Sequence, residues 1–93
     1  VSHVLLRSSA FVRDSKRLLR GRPDIADQLH QTLHLLAADP YAGTLKSHKL
    51  KGKYRDSWAC SGGYDLRIIF SFTRHAGKPA VLLETVGTHD EVY

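Results

Sequence analysis

The stretch with the plainest chemistry is Lys46–Arg55, KSHKLKGKYR. Five of its ten residues are basic and none is acidic. In an extended backbone Lys49, Lys51, Lys53 and Arg55 share one side, and Leu50, Gly52 and Tyr54 turn the other way, toward a core. Gly52 is a natural place for a turn or bulge that breaks this alternation. Lys46 opens the stretch and His48 stands near its start. Cations at this spacing suit the phosphates of a polyanion better than they suit a small ligand. The pattern alone fits a solvated edge strand equally well, since edge lysines discourage strand-to-strand pairing.

Other reactive side chains give less. His30 and His34 are four apart on a helical pattern, a spacing that can hold zinc, but the segment lacks an intervening Glu and an obvious third ligand. No metal or cofactor is expected. Cys60 has no paired His and no helix start beside it, so it reads as a small buried thiol. Trp58 reads as core, with a stacking surface flanking the site as the alternative. Gly62 and Gly63 make a turn rather than a phosphate loop, because no helix follows them.

Ninety-three residues bound the chain to one domain, 1–93, with a modest core. Fourteen Lys and Arg against nine Asp and Glu leave +5, which favours an acidic partner, nucleic acid or protein. A single cysteine excludes an internal disulfide and fits a reducing cytoplasm. No apolar run approaches the roughly 20 residues of a membrane span, and VSHVLLRSSAF lacks the long apolar centre of a signal peptide.

These groups need elements to place them. His3–Arg7 reads as a first strand. Ser8 and Ser9 supply an N-cap for a helix over Ala10–Arg20, ended by Gly21. Pro23 starts a second helix, with Ile25, Leu29, Leu33 and Leu36 at helical spacing, and Asp39-Pro40 stops it near Ala38. A three-residue link makes the two an antiparallel hairpin. Strands are expected over Lys53–Cys60, Leu66–Thr73 and Ala80–Val86. Their turns fall at Ser61–Gly63 and Arg74–Pro79, and Gly87 breaks the last strand. The order β-α-α-β-β-β gives a two-layer α+β domain, a helical hairpin on a mainly antiparallel four-stranded sheet. The basic comb and Arg67 on the central strand are then expected to converge on one face.

Three segments in this order resemble toxins of the RelE/ParE superfamily, in particular the YafQ-like branch of ribosome-dependent mRNA endonucleases. They are HKLKG at His48–Gly52 with Tyr54-Arg55-Asp56 after it, YDLRIIF at Tyr64–Phe70, and GTHDEVY at Gly87–Tyr93. The resemblance implies a small cytoplasmic toxin that is neutralised by a cognate antitoxin and cuts message in the ribosomal A site. It matches His48, Asp65, Arg67, His89 and Tyr93 to functional positions. It also shows two departures: Trp58, or a residue near it, stands in place of a histidine, and Thr85 in place of an arginine.

Metal-free RNA cleavage requires a 2′-OH to lose its proton, a 5′-oxygen to gain one, and new phosphate charge to be stabilised. On the resemblance, His89 is the acid, and Asp65 or His48 the base or its orienting partner. Arg67, with Lys49, Lys51 and Lys53, holds phosphate charge, with Lys46 and Arg55 adding to the basic surface. Tyr93 stacks on a base or hydrogen-bonds the substrate. Two other functions share these features: a ParE-like toxin that poisons DNA gyrase without cutting RNA, and a catalytically weak RNA- or ribosome-binding module. Titratable groups around a cationic strip favour the nuclease over the gyrase poison.

Overall fold

The structure is a computed structural model and describes residues 3–52, 56–63 and 65–88. Strand β1 is Val4–Arg7, followed by helices α1, Ser9–Leu19, and α2, Pro23–Ala38. A 3-10 turn at Gly43–Leu45 leads to β2, His48–Lys49, and then come β3, Trp58–Gly62, β4, Leu66–His75, and β5, Lys78–Thr88. The sheet order is β1-β5-β4-β3-β2, with β1 parallel to β5 and the other neighbours antiparallel.

Local signals explain both helices. Ser8 Oγ accepts from the Phe11 N–H at 3.0 Å, so it caps α1, and it also donates to the Glu84 carbonyl at 3.0 Å. Pro23 begins α2 with Asp24 in its first turn, and Asp39 N–H closes its last turn on the Leu35 carbonyl. Ile25, Leu29 and Leu36 bury one stripe of α2 against Cys60, Leu66, Ile68, Phe70, Val81, Leu83 and Val86, with Phe11 of α1 in the same core. Each fully buried side chain of this size contributes about 2 kcal/mol. The sheet's other face carries a smaller apolar cluster of Ala59 and Ile69, with Leu50 against it.

Several boundaries differ from those the sequence suggests. Ser61 and Gly62 remain in β3, paired with Arg67 and Leu66, so the turn begins only at Gly63, whose φ is +85°. The β4–β5 turn narrows to Ala76 and Gly77, both left-handed at φ 52° and 78°, the geometry of a two-residue hairpin. Gly87 does not break β5, because it stays in the ladder opposite Arg67. The sheet gains a fifth strand in β2, which at two residues is too short to leave a pattern in sequence. The expected comb is therefore not one strand: β2 ends at Lys49, Gly52 takes a left-handed φ of 71°, and Lys53–Arg55 lie outside the described residues.

Candidate active site on the sheet face turned away from the helices

Alternation along β4 sends Leu66, Ile68 and Phe70 into the helix-side core and turns Arg67 and Ile69 to the opposite face. Arg67 is half-buried and lies between Ser61 on β3 and Gly87 on β5. These cross-strand partners present a hydroxymethyl group and a hydrogen. Its Nη1 donates to the Leu66 carbonyl at 2.9 Å. Its charge is felt at Cys60, where burial pushes the thiol up to about 12 and Arg67 works against that rise. Cys60 is fully buried and stays a neutral core thiol, as the sequence suggests.

His48 reaches the same face through the sheet register. It pairs with Ala59 and Ala59 with Ile69, so these three form one row on that face. Arg67 lies two strands over from His48 and two residues along, a Cα separation of about 12 Å by standard sheet spacings. His48 Nδ1 is 3.1 Å from the Lys46 carbonyl oxygen, and in the tautomer that donates this bond the basic lone pair is on Nε2. Lys46 adopts φ 52° as the 3-10 turn ends, which directs the chain into β2.

Asp65 is exposed in the turn two residues before Arg67. Lys46, Lys49 and Lys51 are exposed. Lys49 pairs with Trp58, whose ring packs on the helix-side core, so Lys49 projects from the face opposite Arg67. The convergence of comb and Arg67 expected from sequence therefore does not occur at Lys49, because His48, not Lys49, has the matching parity. Lys53, Arg55, His89 and Tyr93 lie outside the described residues.

One feature of this face has no sequence signature. The β4–β5 ladder slips between Ile69 and Phe70: Phe70 pairs with Leu83 but Ile69 with Thr85, leaving Glu84 as the extra residue of a β-bulge. Ser57 Oγ donates to Glu84 Oε1 at 2.7 Å. The bond reaches from the start of β3 over β4 to β5. Among the described residues no group of three or more His, Cys, Asp or Glu is placed to hold a metal, and no helix is long and apolar enough to cross a membrane. His30 and His34 are exposed, with ring centroids 4.7 Å apart.

Two helices on a mixed sheet, with an arginine near the start of the central strand on the far face, define a small RelE/ParE-like α+β protein. A family model for the YafQ bacterial toxin of type II toxin–antitoxin systems matches residues 4–93. The chain belongs to that family of toxins. No curated protein sequence matches it significantly. Among solved structures it is similar to YafQ from E. coli strain BL21(DE3), with a TM-score of 0.77, 19% identity and 98% of each chain covered. The E. coli DinJ-YafQ toxin–antitoxin complex gives a TM-score of 0.75 at 19% identity, covering 100% of this chain and 99% of that one. A metal-bound toxin from Helicobacter pylori gives 0.75 at 26% identity, covering 98% and 99%.

Proposed function

We propose that the chain is a ribosome-dependent endoribonuclease that cuts mRNA in the A site and so stops translation. The observation that carries this reading is the placement of His48 and Arg67 on one sheet face, with Ser61 and Gly87 as the cross-strand partners of the arginine. His48 Nε2, or Asp65, takes the proton from the 2′-OH as that oxygen attacks the adjacent phosphorus. Arg67 binds the phosphate oxygens through its fork of N–H donors and stabilises the added negative charge. His89 supplies the proton to the departing 5′-oxygen, and Tyr93 stacks on a base. The products are a 2′,3′-cyclic phosphate and a 5′-hydroxyl. Lys46, Lys49, Lys51, Lys53 and Arg55 draw in RNA through the field of a chain at +5.

A cognate antitoxin completes the reading. Family membership and the likeness to YafQ as found in the DinJ-YafQ complex support it. The test is a translating extract with a reporter message. Discrete cuts that disappear with His89→Ala and Arg67→Ala are expected, and a message carrying 2′-deoxyribose at the cut position should stay whole. Intact message together with trapped gyrase–DNA complexes would sink the nuclease reading in favour of a gyrase poison.

A further inference from the structure

On the helix side of the sheet, cover ends early. Beyond the last turn of α2 the strands continue, and the chain sets Tyr41 over them. Tyr41 and Phe72 stack with centroids 5.6 Å apart and planes at 24°. Trp58 meets Tyr41 at 5.6 Å and Phe72 at 5.5 Å, edge-on in both cases. Tyr41 is nonetheless 63% exposed and Phe72 36%. A cluster that served only as core would not leave its outer rings in water. Cations rim it: Lys49 is the cross-strand partner of Trp58, and Arg74 follows Phe72 on the same side of β4.

We propose that Tyr41, Trp58 and Phe72 form the anchor point for a segment of the cognate antitoxin that carries apolar side chains between acidic ones. The inference rests on the toxin–antitoxin reading and adds where the partner holds. Tyr and Trp supply large contact area at little entropic cost and dominate binding energy when water is excluded around them. Lys49 and Arg74 complement acidic residues on either side of the apolar contacts. Single-stranded RNA is the poorer occupant. Bases stack on successive open ring faces, whereas here Tyr41 and Phe72 each turn one face to the other and Trp58 meets both rings at a steep angle. The patch is on the sheet face opposite Arg67, so an antitoxin anchored here need not enter the catalytic face to hold the toxin.

Trp58 is the chain's one tryptophan, so its fluorescence reports on the patch directly. Three short synthetic peptides make the probe: alternating Glu and Leu, Glu and Ser, and Lys and Leu. The Glu–Leu peptide should shift Trp58 emission saturably, with affinity falling about tenfold in Tyr41→Ser and again in high salt. The other two peptides should give no saturable shift. Equal responses to all three, or a response to oligouridylate but to no peptide, overturn the proposal. The second arm uses the cognate antitoxin. Weaker binding to both Tyr41→Ser and Phe72→Ser supports the proposal, and unchanged binding to both refutes it while leaving the toxin–antitoxin reading intact. An antitoxin that fails to bind even the unaltered chain overturns both.

Discussion

Thr85 Oγ1 donates a 2.6 Å hydrogen bond to Asp14 Oδ2, joining β5 to α1 across 71 positions of sequence. Asp14 is only 6% exposed, and Arg13 and Arg17 approach its other oxygen at 3.3 and 3.5 Å. The Thr85 hydrogen bond, opposed by burial and assisted by Arg13 and Arg17, holds the Asp14 carboxyl below its usual 3.8. The position where the family resemblance expects an arginine thus carries a residue that fastens a helix to the sheet.

Thr85→Val removes the donor and leaves the volume unchanged, so it should cost about 2 kcal/mol, the scale of a hydrogen bond to a charged group. Urea unfolding measures it. The pH dependence has a definite sign. Because the folded value lies below the unfolded one, the stabilisation is present above 3.8 and disappears as pH falls through the lowered folded value. The stability difference between the unaltered chain and Asp14→Asn should therefore shrink below about pH 4. A difference that stays constant down to strong acid would contradict this account.

Arg67 faces away from the core, so its removal should spare the fold while damaging chemistry. Arg67→Ala should reduce cleavage by about a hundredfold or more, and Arg67→Lys should recover only part of it, because an ammonium cannot bind phosphate through two parallel bonds. Circular dichroism should remain unchanged in both. Full cleavage by the alanine variant would remove this residue from the mechanism.

At Gly62 helix α2 lies tight against β3. A Cβ there would collide with Thr32 Oγ1 and stand 2.9 Å from Leu66 Cδ2. Thr32 cannot swing away freely, since its hydroxyl donates to the Gln28 carbonyl at 2.7 Å and the residue is buried. Gly62→Ala should destabilise by about 1–3 kcal/mol, the usual effect of overfilling a packed site. A thermal midpoint equal to that of the parent chain would show that the helix can lift without cost.

Ala76 occupies the first position of the two-residue β4–β5 turn at φ 52°, a conformation costly for a residue with a Cβ and no local polar group. Ala76→Asn should raise stability by about 0.5–1 kcal/mol, because Asn enters the left-handed region more readily. The exposed turn makes a packing effect of the substitution small. An unchanged or lower midpoint would argue against strain at this turn.

Cys60 should resist alkylation in the native state at pH 8 and react at once in denaturant, since burial raises the thiol to about 12. The folded value exceeds the unfolded one near 9.0, so stability should decline with rising pH through the interval from 9.0 to about 12. Labelling of the folded protein as fast as free cysteine would show that the core around β3 opens readily.

Local chemistry alone is enough to determine α2 and the middle of β4. Proline, acidic first turn and apolar spacing act within a few residues, and Ile68 and Phe70 alternate with Arg67 whatever lies across the strand. Short motifs likewise single out His48 and Arg67 as candidates. Tertiary structure decided which face each residue uses. Pairing with Ala59 puts His48 on the face of Arg67, and pairing with Trp58 puts Lys49 on the other, though the two are adjacent in sequence. The slip that singles out Glu84, the continuation of β5 through Gly87, the Thr85–Asp14 tie and the aromatic patch belong to the same category. Strand register is fixed by partners dozens of residues away, and a shift of one position exchanges the faces of a strand. Composition and spacing within a strand carry no information about that choice; packing against the helices does.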